Sequence, residues 1–374
     1  MKVIFFANTD WYLFNFRLGL ARYLRDKGAE VVFLSPPGEY GPLIEAAGFR
    51  WLALPMDRRS LNVFGELRLL SKIVHIFRAE RPDAVHNFTI KCVVYGSLAA
   101  QLAGIRQRIN AVAGLGHVFS SDSIKARLLK PLVKLLLRLA LRGSQSELIL
   151  QNPDDMALFT RLGLIATERI HLIKGSGVDT SRFAPFQRER GRRFRILLAS
   201  RLLWEKGIQE YVDGARLLKA RADELEFLLA GSSDPGNPSA VPELDIAQWG
   251  QEGLIKVLGH VEHMEALMRT VDLVVLPSYY GEGVPRGLIE AAAMGLPIIT
   301  TNAPGCREIV DDGVNGFLVP VKDERALASK IECLLDNPEV CQRYGAAGRQ
   351  KVLQEFDEDI VFQKTWAVYQ ETEF

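Results

Sequence analysis

The sequence predicts an α/β protein with two doubly wound domains, and three observations support this fold class. The chain has 374 residues, which is long for one domain and natural for two. Short apolar runs alternate with segments of helical spacing along the chain. This alternation restarts after a polar, arginine-rich stretch around residues 183–193. Strands that alternate with helices form parallel sheets with helices on both faces.

The elements follow in order. The run Lys2–Ala7 is the predicted first strand, and a helix over 16–27 ends at Gly28, a residue typical of helix C-termini. The other strands of the first series are predicted at 30–34, 83–86 and 148–150, with helices near 61–79, 91–103 and 123–142. The second series has strands at 194–199, 226–230, 256–258, 273–276 and 297–300, again with helices between them. We therefore expect two Rossmann-like domains, residues 1–183 and 194–355. The pattern of the C-terminal helix segment, 356–374, leaves open whether it packs back on the first domain.

Composition and charge narrow the class of protein. The chain is 48% hydrophobic, which predicts a sizeable core and excludes a disordered chain. Its net charge is only +1, but the segment up to Phe186 has 25 Lys+Arg and 15 Asp+Glu, against 21 and 30 in the remainder. A basic first half and an acidic second half indicate different partners for the two halves.

The predicted compartment is the cytoplasm. The N-terminus carries Asp10 and Arg17 too early for a signal peptide, and no run approaches the roughly 18 apolar residues of a spanning helix. The four cysteines lack C-x2-C spacing, so we expect them to be reduced and to form neither disulfides nor a metal site: Cys92, Cys306, Cys333 and Cys341.

The most informative segment places two glutamates at a predicted helix N-terminus. Glu282-Gly283-Val284-Pro285 follows the apolar run 272–277, and Pro285 suits the first helical position because its missing N–H needs no partner there. Free N–H groups and the helix dipole form an anion site there. Glu282 stands beside that site, and Glu290 lies more than one turn up the helix. This pattern suits a ligand with phosphate and hydroxyl groups, such as a nucleotide sugar. A capped surface helix with two solvated glutamates is the alternative for this pair alone.

Three other predicted strands are followed by loops that also suit a ligand with phosphate and hydroxyl groups. Arg201 and Lys206, five residues apart, can pair with a diphosphate after the 194–199 strand. Gly231 lets a ligand approach the backbone, Ser278 precedes the glutamate segment, and Asn302–Gly305 follows the last strand. Each loop alone is ordinary. The carboxyl ends of parallel strands meet at one edge of a sheet, so we expect the four loops to lie together.

These segments resemble the signature of retaining glycosyltransferase family 4, whose members have the GT-B fold. The matching C-terminal segments are Arg201, Lys206-Gly207, Pro277-Ser278, Glu282-Gly283-Val284-Pro285, Glu290-Ala291, Gly295, Pro297, Pro304-Gly305 and Glu308. The first half is similar to a branch of bacterial enzymes that build lipid-linked glycans. Its matching segments are Asn15-Phe16-Arg17, His86–Lys91, Gly114–Gly116, Gln151-Asn152 and Gly175–Asp179. The C-terminal signature is highly specific, whereas the N-terminal one only suggests the branch.

The resemblance implies an active site in the cleft between the two domains and assigns a role to each donor-side residue. Arg201 and Lys206 hold the donor diphosphate and neutralise the leaving nucleoside diphosphate. Glu282 contacts the hydroxyls of the donor sugar, residues 283–284 offer N–H groups, and Glu290 hydrogen-bonds the ribose. The remaining donor-side residues are Gly231, Ser278 and Pro285.

The first half supplies candidates for the acceptor side: Asn15, Arg17, His86, Lys91, Gly116, His117 and Asn152. Two features depart from the family pattern. The first loop, residues 8–11, lacks the glycine pair of many members, and His86-Asn87-Phe88 replaces their H-x-H. The histidine that usually faces the donor sugar is therefore not obvious, and Lys91 and His117 are candidates for that space. For His86, a strand-end histidine bonded to backbone is the competing interpretation.

Two further segments bear on cofactors and partners. Asp357-Glu358-Asp359 spells D-x-D, which binds a divalent ion in another glycosyltransferase fold, but here it begins the last predicted helix, where acidic residues favour the dipole. We expect no essential metal or other cofactor.

Residues 123–146 carry six basic and no acidic residues, and those at 130, 134, 138 and 142 form one helical stripe among leucines. We predict that 123–142 lies on an anionic membrane surface. A buried helix with a basic outer face is the alternative.

The predicted function is retaining transfer of a hexose or N-acetylhexosamine from a nucleotide sugar to a polyprenyl-diphosphate-linked sugar. UDP is the family expectation for the donor. We expect the enzyme to be peripheral on the inner face of the membrane, and we expect no nucleic acid partner. Two alternatives stay open: a GT-B nucleotide-sugar 2-epimerase, which needs no acceptor, and a non-catalytic sugar-nucleotide binding protein. The basic segment and the family motif argue against the first, and the intact set of donor residues argues against the second.

Overall fold

The computed structural model describes residues 1–57, 62–114, 124–186, 193–234 and 236–371, without the side chains of 124–129. The chain forms two compact units: Met1–Ser176 together with Val361–Phe374, and Gly177–Ile360. All strand pairs in both sheets are parallel. The predicted architecture of two doubly wound, Rossmann-like units is therefore confirmed. No helix in the described ranges is long and apolar enough to cross a membrane.

The first unit is built on a seven-stranded sheet with the order β3-β2-β1-β4-β5-β6-β7. Its strands are β1 (Lys2–Phe6), β2 (Glu30–Ser35), β3 (Arg50–Ala53), β4 (Ala84–Phe88), β5 (Gln107–Val112), β6 (Ser146–Leu150) and β7 (Ile170–Leu172). The strand order reverses between β1 and β4. In open sheets of this kind, ligands bind beyond the carboxyl ends of the strands at that point.

Helices cover both faces of this sheet. They are α1 (Asp10–Asp26), α2 (Gly41–Ala46), α3 (Val63–Glu80), α4 (Ile90–Ala103), α5 (Ile124–Ala140) and α6 (Pro153–Leu162). One core joins α1 to Phe362 and Tyr369 of the C-terminal helix, and the cores on the other face join α3 and α5 to α4. The C-terminal helix thus packs on the first sheet, an arrangement that the sequence pattern left open.

The second unit has a six-stranded sheet with the order β10-β9-β8-β11-β12-β13. Its strands are β8 (Phe194–Ala199), β9 (Leu225–Ala230), β10 (Ile255–Gly259), β11 (Leu273–Leu276), β12 (Ile298–Thr301) and β13 (Gly316–Val319). Its helices are α7 (Ile208–Leu217), α8 (Glu243–Gln251), α9 (Met264–Met268), α10 (Arg286–Ala293), α11 (Glu324–Asp336), α12 (Pro338–Glu355) and the start of α13 (Glu358–Glu371). Here the strand order reverses between β8 and β11.

Sequence patterns missed four strands: β3, β5, β7 and β13. The reason is clearest in β5, where Gln107, Arg108 and Asn110 are polar yet buried. Asn110 accepts hydrogen bonds from Ser97 Oγ (2.7 Å) and Asn87 Nδ2 (3.0 Å), so a buried polar network replaces the apolar run that marks an interior strand. The first helix also begins earlier than predicted, at Asp10, because the Thr9 hydroxyl caps it by accepting from Tyr12 N (3.1 Å).

The boundary between the units falls after Ser176, earlier than the predicted limit of the first domain at residue 183. The next residues bond within the second unit. Val178 N donates to Phe356 O (3.0 Å), and the Arg349 guanidinium donates to the carbonyls of Thr180 (3.1 Å) and Phe183 (3.0 Å). These partners lie far along the chain, so local composition gives no signal of them.

Candidate active site

Four loops of the second unit meet at the carboxyl edge of its sheet. The loops after β8 and β11 flank the point where the strand order reverses, and the loops after β9 and β12 lie beside them. A Cβ atom at Gly207 would collide with the Pro277 carbonyl, and one at Gly305 would collide with the Gly283 carbonyl. Both glycines also have positive φ, +75° and +81°. Close backbone approach thus holds the loops after β8, β11 and β12 together at the edge where the sequence predicts them.

Lys206 and Glu282 form the centre of this edge. Lys206 Nζ lies 2.5 Å from Glu282 Oε2, and both side chains are largely buried, with 12% and 14% exposed. The other carboxylate oxygen of Glu282 accepts from Ser278 Oγ (2.7 Å). A cation in a loop after a strand is expected to be exposed, and Lys206 departs from that expectation. The lysine ends a short 3-10 turn, Trp204–Lys206, whose following Gly207 packs against Pro277.

Arg201 is the exposed cation of the same edge. Its side chain is 60% exposed, and Nη1 lies 3.1 Å from Asp234 Oδ2 in the loop after β9. Gly231 begins that loop, where its N–H donates to Gly259 O (2.7 Å). Sequence reasoning missed Asp234, because a carboxylate 33 residues away gives no local signal that it pairs with an arginine.

Glu290 lies on α10, which begins at Arg286 with Pro285 as its N-cap residue, so the helix begins one residue later than the sequence predicts. Glu290 Oε1 lies 2.9 Å from Arg286 Nε, an i,i+4 pair along the helix. Burial raises the pKa of Glu290, while the charge of Arg286 opposes that shift. Arg286 is a second residue that sequence reasoning missed, although its spacing from Glu290 was available as a signal. Residues 283 and 284 lead into this helix, and Val284 is buried.

Two of the acceptor-side candidates, Arg17 and His86, share a cavity of about 10 Å3 at the carboxyl edge of the first sheet. That is close to the space one water molecule needs. The Arg17 guanidinium donates to the Tyr12 hydroxyl (Nη2, 2.6 Å) and lies 4.5 Å from the centre of the Phe88 ring. His86 Nδ1 bonds the Tyr369 hydroxyl (2.8 Å), so its partner is a side chain of α13 and not the backbone.

The two nitrogens of His86 differ in their surroundings. Nε2 is buried and has no hydrogen-bond partner within the described part of the chain. Burial, together with the nearby charge of Arg17, holds the pKa of His86 well below its ordinary value of 6.5. The imidazole is therefore neutral near pH 7, and its ring forms part of the lining of the cavity.

The other acceptor-side candidates have different surroundings. Lys91 pairs with Glu66 (2.8 Å), which ties it to α3. Asn152 is buried and caps α6 by accepting from Asp155 N (2.8 Å), so its side chain has a structural role. Asn15 is exposed on α1 and donates to Trp11 O (3.0 Å). Gly116 and His117 lie outside the described residues.

The acidic triplet at 357–359 has structural contacts. Asp357 accepts from Thr180 Oγ1 (2.6 Å) and from Asp359 N (2.9 Å), at the start of α13. No group of three or more His, Cys, Asp or Glu side chains suited to a metal ion occurs in the described ranges.

The basic helix α5 packs through one side and exposes apolar residues on another. Leu137 and Ala140 are buried in the first unit, whereas Leu132, Leu135 and Leu139 are 51%, 53% and 41% exposed. Arg138 and Arg142 are exposed beside them, and Lys130 and Lys134 are half-buried. The exposed side of α5 is therefore both apolar and basic.

Two protein-family models match the chain, one in each unit. A model described as "Glycosyl transferase 4-like" matches residues 2–152, and one described as "Glycosyl transferases group 1" matches residues 180–351. The chain belongs to this glycosyltransferase family. The match to two models, one for each unit, confirms the family resemblance seen in the sequence.

Relatives of this glycosyltransferase include bacterial enzymes of lipid-linked glycans. N,N'-diacetylbacillosaminyl-diphospho-undecaprenol alpha-1,3-N-acetylgalactosaminyltransferase of Campylobacter jejuni is 27% identical, over 99% of this chain and 98% of the relative. A UDP-Gal:alpha-D-GlcNAc-diphosphoundecaprenol alpha-1,3-galactosyltransferase of Escherichia coli is 25% identical, over 76% and 75%. The structure of Anabaena HepE in complex with UDP-glucose has a TM-score of 0.78 at 22% identity, over 99% of this chain and 100% of that one. This last match shows the shared fold.

Proposed function

We propose that this glycosyltransferase moves a hexose or N-acetylhexosamine from a UDP-sugar to a polyprenyl-diphosphate-linked sugar, with retention of anomeric configuration. The pairing of Lys206 with Glu282 at the reversal point of the second sheet carries the proposal. It puts a cation suited to a diphosphate beside a carboxylate suited to sugar hydroxyls. The relatives named above act on undecaprenyl-diphosphate sugars, and one of them uses a UDP-sugar.

The chemical step requires positive charge at the leaving group. The bond from the sugar C1 to the diphosphate oxygen breaks, and its electron pair goes to UDP. The acceptor hydroxyl oxygen bonds to C1 and passes its proton to the leaving diphosphate oxygen. Lys206 and Arg201 stabilise the negative charge that develops on UDP, while Glu282 holds the sugar hydroxyls in position. Glu290 accepts from the ribose hydroxyls, and Arg286 orients its carboxylate. With these cations in place, we propose that the reaction needs no metal ion.

The acceptor side of the proposal rests on the first unit. Its partly enclosed cavity between Arg17 and His86 suits a hydroxyl group of the acceptor sugar. The leucines and cations of α5 suit an anionic membrane surface, which is where a polyprenyl-linked acceptor resides. We propose that the enzyme is peripheral on the cytoplasmic face of the membrane.

Release of UDP from a UDP-sugar, measured with and without a polyprenyl-diphosphate sugar, tests the proposal. A transferase releases UDP rapidly only with acceptor, and we expect the same rate in the presence of EDTA. An epimerase would convert the sugar without acceptor, and a binding protein would release no UDP under either condition. Either of those results would contradict the proposed function.

A further inference from the structure

The outer face of α3 combines exposed apolar side chains with cations. Phe64 is 85% exposed, Val63 68% and Leu67 59%, and all three lie in the first two turns. Single exposed apolar side chains are common on protein surfaces. Large ones grouped within five residues indicate an interaction surface. We call these three residues the α3 apolar turn.

Cations continue the same face toward the helix C-terminus. Arg68, Lys72 and Arg78 are exposed, with His75 between them. The two carboxylates of the helix are both engaged elsewhere: Glu66 pairs with Lys91 (2.8 Å), and Glu80 pairs with Lys2 (2.9 Å) and Arg50 (2.8 Å). The outer face of α3 is therefore apolar at its start and basic along its length, without an exposed carboxylate. This distribution is typical of a helix at the surface of an anionic bilayer.

The position of α3 in the same helical layer as α5 also supports an anionic bilayer as the partner. Both α3 and α5 pack against α4, on one face of the first sheet. Side-chain bonds link the three helices: Arg78 Nη2 donates to Leu102 O (3.0 Å), and Gln101 Nε2 donates to Leu139 O (3.0 Å). The exposed side chains of α3 and α5 thus belong to one helical layer, and both helices begin at the carboxyl edge of the sheet.

We infer that the α3 apolar turn inserts into an anionic phospholipid bilayer and forms a second membrane contact beside α5. The inference rests on the proposed function in one respect: an acceptor held in the membrane requires the enzyme to bind at the membrane surface. The two contacts differ in physical character. Binding through α5 is mainly electrostatic and weakens with salt. Insertion of Phe64 and Leu67 depends on apolar burial, which salt does not screen.

The test uses the full chain and vesicles of phosphatidylglycerol mixed with phosphatidylcholine. Phe64→Ser combined with Leu67→Ser should lower vesicle affinity about tenfold or more, because two large apolar side chains lose their burial. The loss should persist at high salt. Leu244→Ser is the matched control: Leu244 is 83% exposed but stands between Glu243 and Asp245 on α8, where adjacent carboxylates disfavour an anionic bilayer. We expect its vesicle binding to equal that of the wild type, and all variants to show the wild-type thermal unfolding profile.

Two separate arms distinguish this inference from the proposed docking of α5. The variant with Lys130, Lys134 and Arg138 changed to Gln tests α5, and the Phe64/Leu67 variant tests α3. Unchanged vesicle binding of the α3 variant would overturn the inference, even if the α5 variant lost binding. A change of oligomeric state in the α3 variant, with vesicle binding intact, would also overturn it by identifying a second protein copy as the occupant.

Discussion

Lys206 Nζ lies 2.5 Å from Glu282 Oε2, although 76 residues separate them in the chain. Both side chains are largely shielded from solvent, where an unpaired charge is costly, and each neutralises the charge of the other. Arg201, the other cation of the donor edge, is 60% exposed and pairs with Asp234 at the surface. The two cations therefore differ in what they contribute to stability, although both are proposed to act on the same diphosphate.

We predict that Lys206→Ala and Arg201→Ala each lower transfer by about 100-fold, if each cation supplies roughly 3 kcal/mol to the transition state. Only Lys206→Ala should also lower the melting temperature, because it leaves Glu282 partly buried without its cation. Steady-state rates and thermal unfolding of both variants provide the comparison. Wild-type turnover in either variant would remove that residue from the site.

The two glutamates are expected to act on different parts of the donor. Glu290→Gln should mainly weaken binding of UDP, because its proposed partner is the ribose. Glu282→Gln should mainly lower kcat, because its proposed partner is the sugar. Calorimetric titration with UDP and steady-state kinetics separate these effects. If Glu282→Gln left kcat intact and only the affinity for UDP fell, the assigned roles would be wrong.

Glu358 should make stability depend on pH. Burial, followed by the nearby carboxylate of Asp179, raises the pKa of Glu358 to about 7 from its ordinary value of 4.5. Between pH 4.5 and 7 the folded protein retains a proton that the unfolded chain has released, so this group lowers stability as pH rises. Glu358→Gln should therefore gain free energy of unfolding relative to the wild type between pH 5 and 8. Denaturant unfolding at several pH values measures this, with the exposed Glu262→Gln as control. A constant difference across this range would contradict the assignment.

Changing Lys130, Lys134 and Arg138 to Gln should weaken binding to anionic liposomes by about 3 kcal/mol at most, at roughly 1 kcal/mol per charge. The difference from the wild type should shrink at high salt. Transfer to a long-chain lipid acceptor should fall, whereas transfer to a short water-soluble acceptor should persist, because the donor residues lie in the second unit. Sedimentation with liposomes checks the first point. Equal binding by both proteins would leave α5 with a structural role only.

Sequence patterns located the donor edge because each of its loops directly follows an apolar strand. They could not identify partners that are distant in the chain. The pairing of Arg201 with Asp234 depends on the strand order of the second sheet, and the bond from His86 to Tyr369 depends on how the C-terminal helix packs on the first sheet. The exposure of Phe64 was equally hidden, since an apolar residue in a helical pattern is normally assigned to the core.

The most direct test of the account is to identify the product formed from a UDP-sugar and a polyprenyl-diphosphate sugar. Mass spectrometry should show the acceptor lipid enlarged by one sugar residue, and the anomeric proton coupling should show that the donor's configuration is retained. Lys206→Ala and Glu282→Gln should form this product far more slowly. An inverted linkage would contradict the retaining mechanism, and an unmodified lipid with an altered UDP-sugar would contradict glycosyl transfer itself.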